Sequence, residues 1–141
     1  MQFFPISQLS LLGVGDPGIP NRERIIMRPT EEINLGEYFM ILGYIENDKS
    51  ITPIPNNLFY FGNVLVAPPS WVTLYTGPGR DIESRLKHSK EHVHVFHWNR
   101  NHTAFVDPNV VPLLLRIDSL SYTVPVLSVG KPSQGNLTFQ A

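Results

Sequence analysis

Two neighbouring segments decide the fold: Val111-Pro-Leu-Leu-Leu-Arg-Ile-Asp118 and Tyr122-Thr-Val-Pro-Val-Leu127. In the first, Val, Leu, Leu and Ile recur at every second position, and in the second Tyr, Val and Val alternate with Thr and Pro. A two-residue period places such side chains on one face of a β-strand. The short link Asp118-Ser-Leu-Ser121 then predicts that the two strands form a hairpin.

Proline and glycine interrupt the rest of the chain at short intervals. The 13 Pro and 10 Gly leave few windows long enough for a helix but many that suit a strand. Strand-like windows separated by turn signals predict a single all-β domain over residues 1–141, a β-sandwich of about seven to nine strands. The further predicted strands are Glu23–Arg28, Glu37–Glu46, Leu58–Val66, Trp71–Thr76 and His92–Trp98, with a possible last one at Leu137–Gln140.

Three segments depart from the simple alternating pattern. Glu37–Glu46 is apolar on both faces, which indicates a central strand covered on both sides or one that packs against a second subunit. Residues 1–20 end in a run rich in Gly and Pro and predict an extended N-terminal arm. Residues 80–91 are highly charged, with Asp81 as a possible helix cap, and predict a loop or a short helix.

Composition narrows the range of partners. With 11 Lys and Arg against 12 Asp and Glu, the formal net charge is -1, so we expect no nucleic-acid partner. The chain has no Cys, which removes disulfides, cysteine-based zinc sites and thiol chemistry. Neither a secretory leader nor an apolar run of membrane-spanning length can be recognised, and we expect a soluble protein, cytoplasmic by default, without a membrane partner.

The stretch from Leu58 to Ser119 resembles the lamin-tail domain family in the order and spacing of its motifs. The pieces are Leu58-Phe-Tyr-Phe61, Ala67-Pro-Pro-Ser70, Trp71-Val-Thr-Leu-Tyr-Thr-Gly-Pro-Gly79, Val93-His-Val-Phe-His-Trp-Asn99 and the strand Val110–Asp118, with Gly36-Glu-Tyr-Phe-Met-Ile-Leu42 upstream. The turn Asn99–Pro108 is longer and bulkier than is usual in that family. The resemblance implies an immunoglobulin-like sandwich that acts as an interaction module, and it carries over no catalytic residue.

All five histidines fall within fifteen residues, at positions 88, 92, 94, 97 and 102. His92 and His94 share a strand face and could bind zinc with a third ligand such as His97 or His102, and Glu91 and Asp107 are the nearest carboxylates. The alternative without metal places His92 and His94 on a solvent-facing surface, with Val93 and Val95 pointing inward. Such a surface could become charged below about pH 6.5.

The aromatic residues exceed what one core face of each strand requires. Those left over, with His and Arg around them, have the composition of a protein interface. We therefore predict a non-enzymatic interaction or structural module that forms a homo-oligomer and needs no cofactor. Two alternatives stay open: a metal-binding protein or metalloenzyme, and a structural subunit of a phage or secretion assembly whose arm wraps a neighbour. The predicted contact residues are Trp71, Tyr75, His92, His94, Phe96, Trp98 and Arg100.

Overall fold

The computed structural model describes residues 3–86 and 90–126 and confirms an all-β fold. A single 3-10 turn, Leu35–Glu37, is the one helical element in this part of the chain. The strands are β1 Leu9–Gly15, β2 Arg24–Pro29, β3 Ile33–Asn34, β4 Tyr38–Ile45, β5 Ile51–Tyr60, β6 Leu65–Val66, β7 Ser70–Tyr75, β8 Ile82–Arg85, β9 His92–His97 and β10 Val110–Arg116.

These strands form a five-stranded, a three-stranded and a two-stranded sheet. The orders are β1-β2-β7-β9-β8, β10-β4-β5 and β3-β6. Every pair is antiparallel except β7 and β9, which run parallel with Ser70 opposite His92 and Tyr75 opposite His97. Within the described residues no helix has the length and apolar character that a membrane crossing requires.

The hydrophobic core lies between the five-stranded sheet and the two smaller sheets, as in a sandwich. Alternate residues of each strand fill it because successive side chains point to opposite faces. Burying such a side chain contributes about 1.5–3 kcal/mol. The buried apolar residues include Ile25 and Met27 of β2, Val72 and Leu74 of β7, and Tyr38, Met40 and Leu42 of β4.

An aromatic group occupies one part of this core. The Phe61 and Phe96 rings meet edge to face with centroids 5.3 Å apart, and Phe59 lies 5.9 Å from Trp98. Edge-to-face contacts suit the ring quadrupole and add to the free energy of burial. Phe96 and Trp98 therefore help to hold the five-stranded sheet against β5.

Two segments predicted to lack strands contain one each. Leu9–Gly15 is not part of an arm: it pairs with β2 from Leu9 opposite Pro29 to Gly15 opposite Arg24. A bulge between Leu11 and Gly13 breaks the two-residue period there, which hides the strand in the sequence. Within residues 80–91, β8 pairs with β9 instead of forming a loop or helix, and the Asp81 carboxylate accepts a hydrogen bond from the His97 N–H.

The strand predicted over Leu58–Val66 also differs from the structure, which has two strands in this region. β5 begins seven residues earlier, at Ile51, and contains Pro53 and Pro55. Proline lacks the N–H that a ladder needs, but β5 is an edge strand, where that loss is tolerated. The end of the predicted segment forms the separate strand β6.

The predicted C-terminal hairpin is wrong in the part of the chain that the structure describes. β10 pairs with β4, and residues 117–126 form no strand. The core-packed phase of β10 contains Val110 and Leu114, whereas Leu115, of the opposite phase, is 43% exposed. Leu127 and the possible strand Leu137–Gln140 lie outside the described residues. As predicted, β4 is the central strand of its sheet.

Candidate interaction surfaces

The five-stranded sheet has an outer face that carries the residues alternating with those of its core face. We call these eight residues the outer face: Ile26, Arg28, Trp71, Thr73, Tyr75, Val93, Val95 and His97. Each is only partly buried. Strand register places Val95 opposite Thr73, and Thr73 opposite Ile26. A row of β-branched side chains, apolar except for the Thr73 hydroxyl and called the apolar row below, therefore crosses the middle of the sheet. Ile82 of β8 extends that row to a fourth strand.

Trp71 is held at one end of the outer face by two charged residues. Its Nε1–H donates to Glu91 Oε2 over 2.9 Å, and the Arg28 guanidinium lies 4.2 Å from the ring centroid. Arg28 also donates to Glu91 Oε1 over 2.7 Å. The hydrogen bond from Trp71 and the bond and charge of Arg28 lower the pKa of Glu91 below its usual value. The indole is therefore fixed in one orientation, and the Glu91 carboxylate beside it stays ionised at neutral pH.

A second ring pair lies at the other end of the outer face. The Tyr75 and His97 rings are stacked, with centroids 5.3 Å apart and an angle of 16° between planes. The backbone N–H of His97 donates to Asp81 Oδ1 over 2.7 Å. Gly79 lies against the His97 ring so closely that a side chain at position 79 would collide with it. The outer face thus presents an apolar row between two ordered aromatic groups.

The structure divides the predicted contact residues between two faces. Trp71 and Tyr75 lie on the outer face, whereas His94 and Phe96 point inward and are 7% and 5% exposed. His92 shares their strand phase. The expectation that His92 and His94 face solvent while Val93 and Val95 point inward was wrong. Phe96 sets the phase of β9, because its ring joins the core aromatics.

The last two predicted contact residues, Trp98 and Arg100, contribute to packing. Trp98 packs against the core, and the Arg100 guanidinium lies 5.5 Å from its ring centroid. The Arg100 side chain donates to Asn57 Oδ1, and its backbone N–H donates to the Thr76 carbonyl over 2.9 Å. These contacts connect the loop after β9 to β5 and β7.

The histidines proposed as metal ligands do not converge. His97 lies on the outer face, opposite His92 and His94, and His102 is exposed on a loop. Within residues 3–86 and 90–126, no three His, Asp or Glu side chains are grouped so as to hold a metal ion. The nearest carboxylate is Glu83, 3.2 Å from His92 Nδ1, in place of the expected Glu91 or Asp107.

His94 has a shifted pKa because of its location. Burial lowers the pKa of His94, the charge of Glu83 opposes that effect and His92 adds to it. The net shift is downward, so His94 is neutral at pH 7. A pH-sensitive group therefore lies at the pairing of β8 with β9, inside the sandwich and not on its surface.

Glu23 is a buried residue that no motif in the sequence marks as a candidate site residue. It is 1% exposed, and its carboxylate accepts four hydrogen bonds. Oε1 accepts from Thr76 Oγ1 at 2.7 Å and Ala104 N at 2.6 Å, and Oε2 accepts from Gly18 N at 2.6 Å and Phe105 N at 3.0 Å. No local pattern reveals this set, because only Gly18 is near Glu23 in the sequence and the other donors lie 53 to 82 residues away.

The pKa of Glu23 follows from this environment. Burial would raise it, but the hydrogen bonds from Ala104, Thr76, Gly18 and Phe105 together outweigh burial and lower it. A carboxylate that accepts several such bonds stays ionised. Glu23 therefore fixes the turn after β1 and the loop before β10 against the end of β7.

These same two loops line an apolar cleft of about 650 Å³. It lies between β1 and β10, the edge strands of the five-stranded and three-stranded sheets. Asp107 is its one charged lining residue among those described. The other lining residues are Val14, Pro17, Gly18, Phe105, Val106, Pro108, Val110, Val111 and Pro112. Within the described part of the chain, the cleft is therefore an apolar groove between two edge strands.

The segment after β10 exposes a regular apolar pattern. Leu120, Tyr122, Val124 and Val126 occupy every second position and are between 40% and 63% exposed. Ser119, Ser121, Thr123 and Pro125 occupy the alternate positions, and residues 119–126 carry no charge. This segment has the alternating pattern of a half-buried strand, and among residues 3–86 and 90–126 it is paired with no strand.

Comparisons with protein-family models, with curated proteins and with solved structures found no match to this chain. The lamin-tail resemblance and the immunoglobulin-like topology stay predictions.

Proposed function

We propose that this chain is a non-enzymatic interaction or structural module that self-associates by packing its outer face against the outer face of a second copy. The supporting observation is the apolar row of Ile26, Thr73 and Val95 between two ordered aromatic groups. A lamin-tail-like role as an interaction module is in keeping with this proposal.

The charges on this side of the sheet favour an identical copy as the partner. Arg28 is paired with Glu91 at 2.7 Å, and Arg24 with Asp16 at 2.8 Å. Because each cation already has its anion, two such faces can meet around a two-fold axis without unmatched charges of one sign. A nucleic acid or a strongly acidic partner would instead require unpaired basic groups.

The composition of the outer face also suits a protein contact. Trp, Tyr and Arg dominate the binding free energy of known interfaces, above all where their orientation is fixed before binding. Trp71 and Tyr75 are ordered in this way by Glu91, Arg28 and His97. Two sheets packed face to face with interdigitating side chains would lie about 10 Å apart.

Substitution of Thr73 with Arg tests the proposal. Thr73 lies in the middle of the apolar row, and an arginine there can extend into solvent in a monomer but places an unpaired charge between two packed sheets. Thr52→Arg, on an exposed position of edge strand β5, is the matched control. We expect light scattering with size exclusion to show the same assembly for the parent and for Thr52→Arg, and a smaller assembly for Thr73→Arg. A monomeric parent at high concentration, or a Thr73→Arg variant with the same mass as the parent, would contradict the proposal.

A further inference from the structure

We propose that residues 119–126 of one copy dock as an added β-strand in the apolar cleft between β1 and β10 of a second copy. This contact is separate from the outer face and does not depend on it. It gives the chain a second binding site with a defined ligand: an uncharged extended segment with apolar side chains at alternate positions.

The cleft offers what an added strand requires. Among the strands of residues 3–86 and 90–126, β1 and β10 are edge strands, so each has a side of backbone N–H and C=O groups that a further strand can pair with. Main-chain hydrogen bonds to such an edge supply affinity, and apolar pockets for alternate side chains supply specificity. Val14 on β1 and Val111 on β10 line the two sides of the cleft, and Phe105 and Val106 of the loop before β10 also line it.

Residues 119–126 match this cleft in pattern and charge. Their apolar side chains repeat every second residue, so one face can enter the cleft while serine and threonine face solvent. The segment has no charge and Asp107 is the one charged group described in the lining, so docking desolvates no unpaired ion on the segment.

The direction of the chain favours a second copy as the donor. The cleft lies at the Val110–Pro112 end of β10, whereas the segment leaves from the Arg116 end, where Ile117 N donates to the Glu37 carbonyl over 2.7 Å. About 20 Å of strand separates the two ends at 3.3 Å per residue. The described residues contain no hairpin that would bring the segment back along its own β10. A neighbouring copy can present it directly.

Engineered cysteines test the docking cleanly, because the full chain has no Cys of its own. One variant carries Val106→Cys in the cleft, where the side chain is 73% exposed and can be replaced without loss of core packing. A second, distinguished by a mass tag, carries Cys at Leu120, Val124 or Val126. Glu32→Cys, in an exposed turn after β2, replaces Val106→Cys in the control mixture.

After mixing and mild oxidation, we expect a disulfide-linked heterodimer for at least one segment position. Its yield should be roughly ten times that of the Glu32→Cys mixture, because a disulfide forms only between residues whose Cα atoms lie within about 7 Å. Adding Val124→Asp to a segment variant labelled at another position should lower that yield about tenfold, since a buried valine is replaced by an unpaired charge. A yield no higher than the control would refute the inference. So would a third variant with both cysteines in one chain, if it formed the disulfide within that chain while the mixture of single-cysteine variants formed none.

Thr73→Arg separates this inference from the proposed function. If both contacts exist, that variant loses the face-to-face dimer but keeps the cross-link between cleft and segment. If Thr73→Arg abolished the cross-link, the second site would not be independent of the outer face. If the cross-link formed but the parent showed no dimer through the outer face, only the proposed function would be overturned.

Discussion

Replacing Glu23 with Gln should destabilise the fold strongly, although the change is isosteric. Each carboxylate oxygen accepts two hydrogen bonds, Oε1 from Thr76 and Ala104 and Oε2 from Gly18 and Phe105. A glutamine keeps one acceptor oxygen and turns an NH₂ group toward two of these donors. If the NH₂ group faces Gly18 and Phe105, two backbone N–H groups lose their acceptor and face another donor. If it faces Thr76 and Ala104, the Thr76 hydroxyl can turn and accept, but the Ala104 N–H is left without an acceptor.

The magnitude follows from the number and kind of bonds lost. A hydrogen bond to a charged group contributes about 1.5–3 kcal/mol, and a buried donor left unsatisfied costs about 1–3 kcal/mol. The losses are not additive, because the turn and loop can move and admit water. We expect Glu23→Gln to lower the free energy of unfolding by about 2–4 kcal/mol, and Glu23→Ala by about 3–5 kcal/mol.

Denaturant unfolding followed by fluorescence of the two tryptophans would measure these free energies. Glu31→Gln is the matched control, because Glu31 is exposed, and its effect should stay within about 0.5 kcal/mol. Since folding lowers the pKa of Glu23, its contribution is fully present above the unfolded value of about 4.3 and is lost as the pH falls through the lower folded value. The gap between parent and Glu23→Gln should therefore narrow in acid. A loss below about 1 kcal/mol at pH 7, or a gap that is constant from pH 7 to pH 3, would refute this account of Glu23.

Two further predictions concern histidines. Folding lowers the pKa of His94, so the parent should lose stability as the pH falls below about 6.5. His94→Gln should remove most of this loss between pH 7 and 5.5. An unchanged dependence of stability on pH in the variant would contradict this role of His94. Gly79→Ala should displace the His97 ring from Tyr75 and lower the free energy of unfolding by about 1–3 kcal/mol. Gly77→Ala is its control, because a Cβ there meets its nearest atom at an ordinary 3.5 Å, and equal effects in the two variants would sink the prediction.

Strands with a regular apolar period could be predicted from the sequence, and irregular ones could not. β2, β4, β7 and β10 were placed to within a residue or two, because each alternates or is apolar throughout. β1 contains a bulge, so its period is broken. β8 is a short strand with mostly polar side chains, formed through backbone pairing with β9, and backbone pairing leaves no mark in the side-chain pattern.

The candidate surfaces were predicted only in part, for two physical reasons. Both phases of β9 can fill a core, one with Val93 and Val95 and the other with His94 and Phe96, and only the partner sheet decides between them. The partners of Glu23 are separated from it by as many as 82 residues, and such a cluster exists only in three dimensions. Trp71 and Tyr75 were placed together correctly, because they belong to one strand and one phase.

The single parallel pair, β7 with β9, divides the large sheet into two antiparallel ribbons, β1-β2-β7 and β9-β8. A parallel pair is joined only through a long connection, so no local hairpin can close this seam. Two side-chain contacts of the outer face cross it: Trp71 reaches Glu91, and Tyr75 stacks on His97. A molecule bound across both contacts would hold the two ribbons together. Its binding would slow the hydrogen exchange of the backbone amides that pair β7 with β9, and tighter binding would slow it more.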